Sequence, residues 1–329
     1  MSEVFEVAKE ALTRAAYRGL LRREPDESAA AELRHVAFEP YEEAELTRVL
    51  ARFADSEEFR ALYSGQTIKP NYPPSTWARV EVDDLLLWVD LGDLGVSRHC
   101  VSGTFEPVET HFIRSLVKSG MTFVDVGANI GWFSANAAKL VGPEGRVFSF
   151  EPRTDTFLAL SRTFRDNGFE GRATLINAAV GEAPGEVSIG WNPELGNPGG
   201  TWTLPYAELE SNFRNNGAQL QVAPVVVLDD IIGDAPVDVM KIDIEGAEPI
   251  AMRGARKLLQ RQRPIVLCEL NPILLEKVSK TTPKAFIDSI EAEGYTCHVL
   301  GVEGAQERLD ASAVRLDDDM VNVVFKPVA

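Results

Sequence analysis

The stretch Phe123-Val124-Asp125-Val126-Gly127-Ala128-Asn129-Ile130-Gly131-Trp132-Phe133 constrains this chain most. An apolar run reaches Asp125, two glycines punctuate the segment after it, and an apolar-periodic stretch continues to Leu140. The pattern predicts a buried strand, a tight loop and a helix. Gly127 and Gly131 allow the backbone to turn sharply and to pass close to a ligand. The new helix aims its first N–H groups over the loop, where they favour a carboxylate or phosphate. Asp125, read as the strand end, can accept hydrogen bonds from a ligand ammonium or hydroxyl.

A dinucleotide fingerprint, Gly-x-Gly-x-x-Gly, is the rival reading of such a turn. Here the order is Asp-x-Gly-x-Asn-x-Gly, and the carboxylate would repel a pyrophosphate. After the loop Gly142-Pro143-Glu144-Gly145 comes Val147-Phe148-Ser149-Phe150-Glu151-Pro152, which reads as a second strand ending in an acid. An acid roughly 20 residues beyond the glycine loop suits a ribose diol. A ligand with an adenosine ribose, an amine and a carboxylate satisfies both features, and S-adenosylmethionine (SAM) is one.

From about Glu106 to its end the chain resembles the FkbM family of SAM-dependent methyltransferases. The matching pieces are Asp125–Gly131, Phe150-Glu151-Pro152, Ala178-Ala179-Val180-Gly181, Leu228-Asp229-Asp230 and Lys241-Ile242-Asp243-Ile244-Glu245-Gly246-Ala247-Glu248. The last is the most family-specific; the first alone fits many methyltransferases. The resemblance implies O-methylation of a hydroxyl on a sugar, glycan or polyketide-type metabolite. It implies a Rossmann-like α/β domain, a parallel sheet closed by a terminal antiparallel hairpin. It places Asp125, Gly127, Ala128, Asn129, Gly131, Phe133, Glu151, Pro152 and Asp243 at the cofactor, with Glu109 near the methionine end. Asn177, Ala178 and Ala179, after the third strand, are candidates for the adenine side.

Composition narrows the partners. With 33 basic and 50 acidic side chains the formal net charge is −17. Such a surface repels phosphate backbones and anionic membranes, so nucleic acid is not an expected substrate. Cys100, Cys268 and Cys297 cannot all pair within one chain and form no Cys-x-x-Cys motif, which suits a reduced, cytoplasmic protein. No stretch approaches the ~20 apolar residues that span a bilayer, and the N-terminus lacks a signal-like pattern. His99 beside Cys100 is poor spacing for a metal site.

Three segments are expected: a helical module over 1–66, a linker with a strand or hairpin lead-in over 67–104, and the methyltransferase domain over 105–329. In the first, Ala16–Asp26 and Asp55–Phe59 resemble a small helical domain similar to phycobilisome linker repeats, which implies docking or a homo-oligomer; a helical cap packed on the catalytic domain is the equal alternative. In the third, Phe105–Lys118 reads as a helix and Arg172–Val180 as strand three. Val237–Asp243 reads as strand four and Pro264–Glu269 as strand five. Tyr295–Leu300 and Val321–Phe325 read as a closing antiparallel pair, and Val96–Gly103 as irregular. Gly196–Trp202, with three glycines beside a Trp, suggests a substrate flap.

In an open α/β sheet, ligands bind at the carboxyl ends of strands near the topological switch. Asp125, Glu151, Asp243 and Glu269 should converge there. Methyl transfer to a hydroxyl needs alignment with the methyl–sulfur bond and an acceptor for the hydroxyl proton. Asp243, Glu245 and Glu269 are the candidate catalytic acids. Catechol-type and macrolide-sugar methyltransferases, which this arrangement resembles, hold magnesium with acids after strands four and five. Here Glu269 is followed by Leu270, not by a second acid or amide, so a divalent metal stays open. Two other readings stay open as well: a non-catalytic SAM-binding or scaffold protein, and a nicotinamide-dependent oxidoreductase.

Overall fold

The computed structural model describes residues 72–73, 75–192, 202–203, 219–301, 306–309 and 320–328. All of them lie in the unit Lys69–Ala329. The helical module expected over 1–66 lies outside the described residues, as do the docking role and most of the flap, Gly196–Thr201.

The lead-in is a hairpin. β1 (Trp77–Val82) and β2 (Leu85–Asp90) pair antiparallel around Asp83 and Asp84, whose φ values of 52° and 60° give the turn that matches strand twist. The hairpin rests on α4 (Thr154–Asp166): Trp88 donates its backbone N–H to Thr163 Oγ1 at 3.0 Å and its indole N–H to Asp166 Oδ2 at 3.0 Å. Val96–Val101, expected to be irregular, is a short helix, α1. Asp93 explains it, because its carboxylate accepts the N–H groups of Gly95 and Ser97 at 2.9 and 2.8 Å and so caps the first turn.

Among the described residues the main sheet has eight strands. The expected first, second and third strands are β3 (Thr122–Val126), β4 (Arg146–Phe150) and β5 (Ala173–Ile176). The fourth and fifth are β10 (Val239–Ile242) and β11 (Ile265–Leu270). They run parallel in the order β5-β4-β3-β10-β11. β12 (Tyr295–Leu300) and β14 (Val321–Pro327) pair antiparallel as expected. β14 inserts between β11 and β12, so the last strand in the chain is not the sheet edge. The three-residue β13 (Gln306–Arg308) borders β12. The switch point therefore lies between β3 and β10, where the chain leaves β3 toward one edge and returns beside it as β10.

Strand three is shorter than its sequence pattern. The chain leaves the main sheet at Asn177 and Ala178, then enters a second sheet as β6 (Ala179–Val180). This sheet also holds β7 (Gly185–Trp191), β8 (Trp202–Thr203) and β9 (Gln219–Val226), in the order β6-β9-β7-β8. Asn177 marks the break by donating its side-chain amide to the carbonyls of Glu151 and Pro152 at 2.8 and 3.1 Å.

Both faces of the main sheet are buried, as parallel strands require. Alternation assigns each residue to a face. Phe123, Val147, Val239, Leu267 and Val324 pack with α2 (Pro107–Leu116), α3 (Trp132–Val141), α4 and the hairpin. Val124, Phe148, Met240, Cys268 and Val323 pack with the later helices, α6 (Glu248–Arg253) and α9 (Pro283–Glu291) among them, counting Leu228–Ile232 as α5, Arg256–Arg261 as α7 and Pro272–Ser279 as α8. The three cysteines are buried and free. Among the described residues no helix is long and apolar enough to cross a membrane.

Candidate active site

A cavity of about 200 Å³ opens at the carboxyl ends of β3, β4 and β10. The candidates Gly127, Ala128, Asn129, Phe133, Glu151, Pro152, Ala178, Ala179, Asp243, Glu245 and Glu269 all line it. Gly131, Asp125, Asn177 and Glu109 do not.

The loop after β3 is built by close packing. Gly127 has φ +86°, and a Cβ there would sit 2.0 Å from the Asp243 carbonyl oxygen. Gly131 has φ +93°, and its Cβ would meet Leu160 at 2.5 Å. Gly127 is thus required by a neighbouring backbone atom and not by room for a ligand alone, whereas at Gly131 the constraint is the positive φ, since the tip of the Leu160 side chain can shift. The N–H groups of Gly127 and Ala128 both donate to the Phe150 carbonyl, at 3.0 and 2.9 Å, and tie the loop to β4.

Glu151 follows β4 and is 5% exposed. Its Oε2 accepts the Asn129 N–H at 2.9 Å; its Oε1 accepts the Arg153 N–H at 2.9 Å and Thr156 Oγ1 at 3.0 Å. These bonds fix the carboxylate at the cavity wall and leave lone pairs for hydroxyl donors. Burial nevertheless pushes its pKa up to about 7.

Asp125 is not at the strand end. It lies one residue inside β3, on the face of Phe123, so its side chain meets α3 and not the cavity. Its Oδ2 accepts from Ser134 Oγ, which also contacts Ser149 Oγ at 2.8 Å. Its Oδ1 is buried without a hydrogen bond, and burial raises its pKa. Glu109 is likewise engaged elsewhere: its Oε1 accepts from the Asn322 side-chain amide of β14 at 2.6 Å. His111 is exposed and lies outside the lining.

Two charged lining residues were not among the expected site residues. Glu106 precedes α2 with φ +39°, and burial, aided by the charges of Asp243, Glu109 and Asp125, pushes its pKa up to about 7. The signal is the pair of acids in Glu106-Pro107-Val108-Glu109, of which Glu106 and not the expected Glu109 lines the cavity. Lys241, in β10, is 4% exposed. Its ammonium meets Asp243 Oδ2 at 2.8 Å and lies 4.6 Å from the centre of the Phe133 ring. Three non-glycine residues of the lining, Glu106, Asn129 and Glu245, have positive φ values of 39°, 51° and 55°. Such strain persists where surrounding structure enforces it, and it gathers at functional sites.

The acids after β10 and Glu269, the penultimate residue of β11, differ in role. Glu248 does not line the cavity; its Oε1 accepts the N–H groups of Ile244 and Gly246 at 2.9 and 3.2 Å and holds the loop that carries Asp243 and Glu245. Burial, with the Asp243 charge next, pushes Glu245 up to about 7. Burial, then Asp243, Glu245 and Glu248, pushes Glu269 up to about 9. Among the described residues no group of three or more His, Cys, Asp or Glu side chains is arranged to hold a metal ion.

The donor set can be tested against SAM. Glu106, Glu151, Asp243, Glu245 and Glu269 face the cavity with Lys241 as the lining cation. That surplus of carboxylates suits a ligand carrying a sulfonium and an ammonium, and opposes a pyrophosphate.

Residues 125–297 match the model of the methyltransferase FkbM domain. Similar solved structures include a methyltransferase FkbM from Methylobacillus flagellatus KT, 19% identical, covering 97% of this chain and 60% of that one with a TM-score of 0.40. An rRNA methylase from Streptococcus thermophilus is 12% identical, covering 67% and 95%, with a TM-score of 0.38. TYW2 from M. jannaschii in complex with AdoMet is 13% identical, covering 78% and 89%, with a TM-score of 0.39. No curated protein matches the chain.

Proposed function

Because the chain belongs to the FkbM family of SAM-dependent methyltransferases, we propose that it methylates a hydroxyl oxygen of a sugar, glycan or polyketide-type small metabolite. The observation that carries this reading is the acid group at the switch point, with Asp243 paired to Lys241 and flanked by Glu245 and Glu269. Bound SAM supplies an electrophilic methyl group on a positively charged sulfur. The chain holds it: Glu151 takes the ribose hydroxyls, Asn129 and Pro152 frame them, and Ala178 and Ala179 border the adenine. Gly127, Ala128 and Phe133 line the methionine side. Asn177 supports the adenine side from behind by fixing the carbonyls of Glu151 and Pro152.

On the acceptor side, Asp243 receives the hydroxyl proton as the new C–O bond forms and the C–S bond breaks. Glu245 and Glu269 orient the acceptor, and a carboxyl lifted to about 9 by burial can donate a hydrogen bond to it near neutral pH. Neutral polyhydroxylated acceptors fit this wall better than RNA, whose phosphates the net charge of −17 repels. Incubation with methyl-labelled SAM and a panel of sugars, glycans and hydroxylated metabolites tests the reading; label in none of them overturns it.

The buried acids also set a pH dependence. Glu106, Glu151 and Glu245 titrate near 7 in the fold against an ordinary 4.5. The fold therefore binds these protons more tightly than the unfolded chain does. Their stabilisation is complete below the ordinary value and is lost as pH rises through about 7. The thermal midpoint of the ligand-free protein should fall between about pH 5 and pH 8 on this linkage. SAM carries net positive charge and favours the ionised carboxylates, so its affinity should rise over the same window. S-adenosylhomocysteine, with a neutral sulfur, should gain less. Calorimetry of both ligands across that range checks this, and a flat SAM affinity would contradict it.

A further inference from the structure

We infer that Lys241 is a positioning residue for Asp243: its ammonium holds Oδ2 and leaves Oδ1 directed to the acceptor. This rests on the proposed role of Asp243. The cost of burying a lysine in a central parallel strand, beside Met240 and Ile242, calls for a specific use. Lys241 also faces Asp125, its register partner across β3 and β10, and its charge offsets the burial of that carboxylate, but its hydrogen bond goes to Asp243 while Ser134 bonds Asp125.

The geometry shows what the pair achieves. Asp243 stands one residue past β10, and its backbone N–H donates to the Val126 carbonyl at 3.0 Å, which fixes its Cα. What remains free is the side chain. Lys241 and Asp243 share one face of the strand by alternation, so the ammonium reaches Oδ2 without leaving the sheet. The Phe133 ring lies against the ammonium and restrains it from the α3 side. The carboxylates facing Lys241 are Asp243 on its own strand, Asp125 on β3 and Glu106 before α2; together they favour its charged form. Asp243 lines the cavity, and its Oδ1 has no hydrogen-bond partner among the described residues.

An acceptor is not required to test this. Sinefungin replaces the methyl-bearing sulfonium of SAM with an amine-bearing carbon, so its ammonium probes the position of the transferring methyl. Its affinity relative to S-adenosylhomocysteine reads the negative charge that faces that position. The wild type should prefer sinefungin by about tenfold, as for one well-placed opposite charge. Asp243→Asn should lose the preference. Lys241→Met should lose it as well, and the double variant should fall no further than either single one. A lysine that merely adds positive charge nearby predicts the reverse: its removal would strengthen the preference. A stronger or unchanged preference in Lys241→Met, with Asp243→Asn weakened, overturns the positioning role and leaves Asp243 in place. No preference in the wild type removes Asp243 from the methyl position and overturns both. If Lys241→Met does not fold, Lys241→Gln carries the same test, because its shorter side chain cannot reach Asp243.

Discussion

Replacing Asp243 by Asn should slow methyl transfer by roughly 10²–10⁴-fold, the usual cost of losing a positioned base. SAM affinity should fall by no more than about tenfold, the share that this charge gives a cation near the methyl position, because the larger loss belongs to the transition state. The substitution keeps the size of the side chain and removes its charge. Its Cα is held by the hydrogen bond to the Val126 carbonyl, and Glu248 holds the loop beyond it, so the backbone should not move. A purely structural Asp243 predicts another result. Its loss would disturb the Lys241 pair and lower stability, with single-turnover rate largely kept. Single-turnover rate, SAM dissociation constant and thermal midpoint, measured together on an acceptor found with labelled SAM, separate the two.

Gly127→Ala should lower stability by about 3–5 kcal/mol and abolish SAM binding, through backbone strain and overpacking. The added Cβ would sit 2.0 Å from a backbone carbonyl oxygen that cannot rotate away, at a φ of +86°. Relieving it means parting β3 from β10 at the switch point, where the cofactor loop and Asp243 meet. Gly120→Ala is the control. It has nearly the same φ, +82°, and nothing within 4 Å of the new Cβ. It should cost only about 1–2 kcal/mol, the penalty of the left-handed conformation. Equal effects of the two substitutions in denaturant melts would show that Gly127 does not pack against Asp243.

Much of this site is legible in the sequence because β–loop–α punctuation and strand-end acids are local signals. The strand ending before Gly127, the acid at 151 and the acids at 243 and 269 each need only their neighbours to be read. The features that escape such reading depend on direction. Asp125 looks like a strand-end acid until its parity with Phe123 puts it under α3. The same parity, applied to Val239, Lys241 and Asp243, puts the lysine under Phe133 and joins it to Asp243. Glu109 and Glu106 both belong to the start of α2; only the turn into the helix, with Glu106 at positive φ, decides which faces the cavity. The end of strand three at Asn177 is set by side-chain bonds to carbonyls 25 and 26 residues earlier, and pattern reading has no access to them. Val96–Val101 lacks an obvious start signal, because Asp93 caps it from two residues before Gly95.

The atom that receives the methyl group tests the central claim most directly. Purified protein, methyl-labelled SAM and the hydroxylated acceptor panel should give a product whose label sits on oxygen, identified by the chemical shift of an O–CH₃ group. Label on carbon or nitrogen, or label found only in added RNA, would contradict it.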